Sequence, residues 1–222
     1  MPEFEALFSR IFPFWEELSV AERARLCTSS RRARFGKGAL VHEGGTCAGL
    51  TIVESGVIRV GLLSEEGREI TLYRLEKDDF CLLSASCVLE AVTFDVQFVA
   101  EEACDAVILD AGAFSAIVQK HPKAEIFALN KTVERFSDVM WVMQQVLFLS
   151  LDRRLASFLI DERARRGTDE LLLTHEEIAR NIASAREAVS RLLKYFEKEG
   201  FVSLSRGKIT LTNVPALRSL TV

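Results

Sequence analysis

A regular heptad pattern between Lys123 and Leu149 constrains the fold of this chain more than any other feature. The apolar residues at its a and d positions, spaced alternately three and four apart, are Ile126, Leu129, Val133, Phe136, Met140, Met143 and Leu147. This spacing predicts one uninterrupted helix with a narrow apolar stripe, about 40 Å long at the usual rise per residue. So narrow a stripe favours pairing with a second copy of the same helix. The alternative is a long helix that buries the stripe against its own domain.

The residues on the two sides of this helix differ in character. Residues 4–30 have the pattern of short helices, with a capping box at Ser19 and Glu22. From Arg34 to Leu109, short apolar runs separated by glycines predict the strands of a small barrel or jelly roll, with a short helix within 82–92. Helical patterns and one hairpin follow Ser150. We therefore predict an α+β chain divided into residues 1–121, 122–150 and 151–222.

Composition narrows the classes of function. The net charge of −4 hides an asymmetry, because residues 1–149 carry −7 and residues 150–222 carry +3, so only the second part has the sign that a polyanion attracts. The five cysteines include no C-x-x-C pair, which argues against a zinc site or a disulfide framework. No apolar run reaches the roughly 18 residues of a membrane span. The acidic start of the chain does not resemble a signal peptide. We expect a cytoplasmic protein that has no contact with a membrane.

Two further capping boxes lie close together in the C-terminal part. Thr174 with Glu177 opens one helix, and Ser184 with Glu187 is predicted to open a second helix that runs to about Glu199. Two short helices at this separation predict a helix-turn-helix, a motif that places its second helix in the major groove of DNA.

The second helix carries polar side chains where base edges would lie. Arg186, Glu187, Ser190 and Arg191 are predicted to face outward near its N-terminus. Arginine can donate two hydrogen bonds to one guanine, and glutamate can accept a hydrogen bond from cytosine N4. The alternative for Glu187 is that it only closes the capping box.

A hairpin follows the second helix. Its strands are predicted at 201–204 and 209–212, around a turn that contains Arg206 and Lys208. These two cations would suit a wing that contacts the phosphate backbone.

The order of these parts resembles the cyclic-AMP receptor protein / fumarate-nitrate regulator (Crp/Fnr) family of bacterial transcription factors. The likeness covers nearly the whole chain, and Arg186, Glu187 and Arg191 match recognition residues of the cyclic-AMP branch. Glu187, Ser190 and Arg191 also match the E-x-x-S-R pattern of the fumarate-nitrate branch, although Ala183 stands where a glycine is usual. The resemblance implies a cyclic-nucleotide-binding-like β-roll in 1–121, a dimerisation helix and a winged helix-turn-helix. It also implies a homodimer that binds a palindromic operator and contacts RNA polymerase. The expected DNA contacts are Arg186, Glu187, Ser190, Arg191, Thr174, Ser184 and Lys208.

The effector is less defined by the sequence. The cassette that grips cyclic AMP is missing, since no arginine occurs between Lys77 and Lys120, and without a cation for the cyclic phosphate we expect no cyclic-AMP binding.

The same region resembles the carbon-monoxide-sensing haem branch. There, a cysteine at the place of Cys81 and a proline at the place of Pro2 bind haem, although Leu83 replaces that branch's histidine. The alternatives are a disulfide between Cys81 and Cys87, or a Cys81 that only packs in the core.

The function that follows is an effector-controlled transcription regulator rather than an enzyme. The alternative class is an enzyme on a β-barrel scaffold. Against it, His42, His121 and His175 have no nucleophile or acid at motif spacing beside them.

Overall fold

The structure is a computed structural model that describes residues 2–42, 49–82 and 96–221. It begins with helix α1 (Pro2–Ile11), a short 3-10 helix (Trp15–Glu17) and helix α2 (Val20–Thr28). The predicted capping box is confirmed. The Ser19 hydroxyl oxygen accepts from the Glu22 N–H at 3.3 Å, and the Glu22 carboxylate accepts from the Ser19 N–H at 2.8 Å.

The predicted β-roll is confirmed as two four-stranded sheets. The strands are β1 (Ser30–Phe35), β2 (Leu40–His42), β3 (Leu50–Ser55), β4 (Ile58–Leu63), β5 (Glu69–Leu75), β6 (Phe80–Cys81), β7 (Gln97–Ala100) and β8 (Cys104–Leu109). One sheet has the order β1-β8-β3-β6 and the other the order β2-β7-β4-β5. The short helix predicted within 82–92 lies almost entirely outside the described residues.

One glycine is required where the turn between β3 and β4 approaches the residue before β8. Gly56, between β3 and β4, has φ +77°, and a Cβ at this position would lie 2.3 Å from the carbonyl oxygen of Ala103. Only glycine tolerates both conditions. The turn from β3 to β4 therefore depends on this residue.

An aromatic cluster joins the N-terminal helices to the β-roll. Phe12 lies at its centre, with its ring centroid within 6 Å of those of Phe8, Phe14, Phe80, Phe114 and Phe127. Phe114 lies in helix α3 (Ala111–Val118) and Phe127 in helix α4 (Pro122–Phe148). The cluster thereby anchors the first turns of α4 to the β-roll.

Helix α4 confirms the long helix predicted from the heptads. It has 27 residues, and Ala124 and Ala128 are its buried residues. Helix α5 (Leu151–Arg166) follows and ends at Gly167, whose φ of +67° gives the left-handed cap typical of helix C-termini.

The C-terminal part is a small domain with its own core. It contains strand β9 (Glu170–Leu171), helix α6 (His175–Asn181), helix α7 (Arg186–Lys198), strands β10 (Val202–Ser205) and β11 (Lys208–Leu211), and helix α8 (Val214–Leu220). Its three-stranded sheet has the order β10-β11-β9. Buried side chains from α5 to α8, among them Leu159, Ile178, Val189 and Leu217, form the core. The predicted winged helix-turn-helix is confirmed, whereas the sequence did not predict β9 and α8.

The chain divides into two compact units. One comprises residues 1–62 and 72–139, and the other residues 63–71 and 140–222. Within the described ranges, none of the helices is long and apolar enough to cross a membrane.

Candidate DNA-recognition surface

Helix α6 begins with the capping box predicted at Thr174. The Thr174 hydroxyl accepts from the Glu177 N–H at 3.1 Å, and the Glu177 carboxylate accepts from the Thr174 N–H at 2.7 Å. The hydroxyl also donates to that carboxylate at 2.9 Å. The Thr174 side chain is therefore committed to the cap, and its contact with DNA stays a prediction.

The capping box predicted at Ser184 and Glu187 is wrong. Helix α7 begins one residue later than expected, with Ala185 as its N-cap. No side-chain hydrogen bond caps this end of the helix. The cause is the preceding turn, where Ala183 takes φ +49° and the Ser184 N–H donates to the Ala179 carbonyl at 2.9 Å. Glu187 is thus not held in a cap, so the alternative for this residue fails.

The first turns of α7 present an exposed polar face. Val189, Leu193 and Phe196 face the core, whereas Arg186, Glu187 and Arg191 are exposed and Ser190 is half-buried. Within the described part of the chain, no hydrogen bond or ion pair involves the side chains of Arg186, Glu187 or Arg191. These groups are available to an external partner.

Two cations of α7 lie close to the first residue of α6. The pKa of His175, the first residue of α6, lies below its usual range because of burial and because Arg186 and Lys194 are close to it. The imidazole is therefore neutral near pH 7. A positive potential next to the exposed face suits a phosphate backbone.

The two cations of the β10–β11 hairpin differ in their local contacts. The Lys208 ammonium donates to the Glu170 carboxylate of β9 at 2.9 Å, so this residue has a partner within the domain. Arg206 is exposed at the turn and makes no ion pair with any described residue. The assignment of Lys208 to phosphate contact stays a prediction, and Arg206 is the exposed cation of the hairpin.

The heptad residues of α4 remain uncovered in the single chain. Each of these residues has between 37% and 67% of its surface exposed. They are Ile126, Leu129, Val133, Phe136, Met140, Met143 and Leu147. An apolar stripe of this length is unusual on a monomer. The alternative, in which the stripe packs against its own domain, does not agree with these exposures.

The predicted effector residues are only partly described. Leu83 and Cys87 lie outside the described residues, and of Pro2 only the helical backbone is described. Cys81 is fully buried, with its sulfur 3.6 Å from the Tyr73 hydroxyl oxygen. Burial and the neighbouring Cys81 raise the pKa of Tyr73 well above its usual value, so the phenol is protonated near pH 7.

An arginine of α4 packs against Tyr73. The Arg135 guanidinium lies 5.0 Å from the centre of the Tyr73 ring. It also donates to the carboxylates of Asp79 at 3.2 Å and of Asp138 at 2.9 Å. Arg135 thereby connects β5 and the loop before β6 to the long helix. The sequence did not single out this residue, because its partners come from distant positions.

Comparison with known proteins agrees with this arrangement. Residues 34–121 match the cyclic nucleotide-binding domain, and residues 153–220 match the Crp-like helix-turn-helix domain. A crystal structure described as a transcriptional regulator of the Crp/Fnr family from Eubacterium rectale is 42% identical in sequence, with a TM-score of 0.91. That similarity covers 96% of this chain and 99% of the other.

Two curated relatives are more distant. The cAMP-activated global transcriptional regulator CRP of Salmonella typhimurium is 23% identical over 173 residues, which are 75% of this chain and 82% of that protein. The anaerobic regulatory protein of Bacillus subtilis is 25% identical over 192 residues, covering 81% and 78% of the two chains.

Proposed function

Because the chain belongs to the Crp/Fnr family of DNA-binding transcriptional regulators, we propose that it reads a palindromic operator as a homodimer through α7. The observation that carries this proposal is the exposed, unpaired set of Arg186, Glu187 and Arg191 at the start of α7. Helices of this motif meet base edges with their N-terminal residues. Arg186 and Arg191 are assigned to guanines and Glu187 to a cytosine. Ser190, Ser184 and Thr174 are assigned to nearby sugar and phosphate groups.

The proposed dimer forms through the heptad stripe of α4. Two copies of the stripe would cover each other by knobs-into-holes packing, which removes seven exposed apolar side chains per chain from water. Such a dimer carries two copies of α7, as a palindrome requires. The family resemblance supports RNA polymerase as a further partner, and the cytoplasm of a bacterium as the place of action.

The salt dependence of DNA binding tests the role of the wing. Arg206→Ala is expected to weaken binding to operator and random duplexes equally, and to reduce the slope of log affinity against log salt by about 1–2 per dimer, because each phosphate contact contributes about 0.9. Lys208→Ala should change the slope less, since its ammonium is paired with Glu170. An unchanged slope for Arg206→Ala would show that the wing does not contact the phosphate backbone.

For the effector, we propose that the signal enters at Tyr73, which contacts Cys81 and packs against Arg135 of α4. Arg135 connects the β-roll to the dimerisation helix, so a change at this point can shift α4 and, through it, the DNA-reading helices. The Cys81 thiol is fully buried in this arrangement, and Leu83 and Cys87 lie outside the described residues. Haem ligation by Cys81 and Pro2 therefore stays a prediction. The absence of cyclic-AMP binding and the Cys81–Cys87 disulfide stay predictions as well.

Substitution of Cys81 separates these effector chemistries. Operator affinity is compared between protein treated with diamide and protein treated with dithiothreitol, and a visible spectrum records any Soret band. Cys81→Ser is expected to abolish the response, whereas Cys27→Ser, in a different core cluster, should keep it. Wild-type protein without either response would leave Cys81 as a core residue.

A further inference from the structure

The turn between α6 and α7 contains a strained backbone position. Among the described residues, only Ala183 and Asp78 combine a side chain with a positive φ, and that of Ala183 is +49°. A residue with a Cβ occupies this left-handed region at a cost in free energy. Because α6 ends at Asn181 and α7 begins at Arg186, the conformation of Ala183 sets the direction in which α7 leaves the turn. Such a conformation persists only when surrounding contacts hold it.

Arg154 of α5 supplies contacts of this kind. One terminal nitrogen of its guanidinium, Nη1, donates to the carbonyl oxygen of Ile182 at 2.8 Å. The same nitrogen lies 3.5 Å from the carbonyl oxygen of Ala183. Ile182 is the C-cap of α6, where unpaired carbonyls form the negative end of the helix dipole. A cation at this point both satisfies the carbonyls and complements the dipole.

The Arg154 side chain is not a solvated surface charge. It is half-buried, and its Nε atom is buried without a hydrogen-bond partner among the described residues. Burial lowers the pKa of the guanidinium, because the charged form is partly withdrawn from water. Keeping this cation inside the domain costs desolvation energy. Its hydrogen bonds to the turn are the compensation that the structure provides.

We propose that Arg154 is a positioning residue for DNA reading, which holds the carbonyl groups of Ile182 and Ala183 and so fixes the angle at which α7 meets the groove. This inference rests on the proposed role of α7 in reading bases. Without the guanidinium, the turn can leave the left-handed conformation, and Arg186 and Arg191 lose their alignment with base edges. Contacts to phosphate tolerate such a displacement better, because they do not depend on the base sequence.

The ratio of operator affinity to random-duplex affinity tests the proposal. Arg154→Ala is expected to lower this ratio by about tenfold or more, since one misaligned bidentate contact removes discrimination of that order. Arg153→Ala is the matched control, because it removes the same charge from the adjacent, exposed position of α5. It should leave the ratio unchanged. Arg154→Ala combined with Ala183→Gly should recover part of the ratio, because glycine adopts the left-handed conformation without strain.

The outcomes distinguish the inference from its premise. If Arg154→Ala leaves the ratio of operator to random-duplex affinity unchanged while Arg191→Ala lowers it, the positioning role is overturned. If Arg191→Ala also leaves the ratio unchanged, the proposed reading role of α7 fails instead. Should Arg154→Ala not fold, Arg154→Met carries the same test, because methionine keeps most of the apolar part of the side chain but donates no hydrogen bond to the two carbonyl oxygens. A ratio equal to that of wild type in this variant overturns the proposal as well.

Discussion

Replacing Phe136 and Met140 by glutamate is expected to convert the dimer into monomers. The two substitutions place four carboxylates of the dimer in an apolar seam, where burying an unpaired charge costs several kcal/mol per group. Operator affinity should fall by about 10²–10⁴-fold, because a monomer loses the effective concentration that links two half-sites. Sedimentation velocity measures the mass, and a binding titration measures the affinity.

The matched control is the pair Ser137→Glu and Gln144→Glu. It adds the same two charges to the exposed surface of α4, outside the a and d positions. This variant is expected to remain dimeric. An intact dimer of the Phe136/Met140 variant would show that the chains associate through another surface.

Replacing Arg191 by alanine is expected to cost about 1–3 kcal/mol at the operator, which is roughly 5–150-fold in affinity. The preference for guanine at one position of each half-site should relax, because a guanidinium group donates two hydrogen bonds to the O6 and N7 atoms of guanine. Competition titrations with all four base pairs at that position measure both effects. Lys198→Ala is the matched control, because this exposed cation lies at the far end of the same helix.

Equal losses on operator and random DNA would contradict the base-reading role of Arg191. The residue would then be a phosphate contact. The reading role would pass to Arg186 or Glu187, which are the other exposed, unpaired groups of this turn.

The elements that sequence predicted best carry their signals locally. The heptads of α4 and the capping box at Thr174 each depend on residues within one or two helical turns. The short apolar runs separated by glycines likewise predicted the strands of the β-roll, although β1 began four residues before the predicted change at Arg34. Boundaries such as this one depend on pairing with β8, which is distant in the sequence.

The errors came from features that tertiary contacts decide. Ser184 and Glu187 have the spacing of a capping box, but the left-handed Ala183 moves the start of α7 past Ser184. Strand β9 has only two residues and exists because Leu171 pairs with Ile209 of β11. The partner of Lys208, Glu170 of the same strand, could not be predicted for this reason.

The proposed effector site depends on tertiary contacts even more strongly. Cys81 was singled out by the resemblance to the haem-binding branch, whereas its neighbour Tyr73 and the connection to Arg135 follow from packing. No pattern in the sequence joins these three residues. The structure is needed to place them in one cluster, and the chemistry of the signal requires an experiment.

Selection of binding sites from a random duplex library tests the central claim most directly. Full-length protein is incubated with the library, and the bound DNA is recovered, amplified and sequenced over several rounds. A homodimer that reads DNA through α7 predicts an inverted repeat whose half-site centres lie about 10–10.5 base pairs apart, or a multiple of that spacing, because the two reading helices occupy successive major grooves on one side of the DNA. Enrichment of a single half-site without a symmetric partner, or of no sequence at all, would contradict the account.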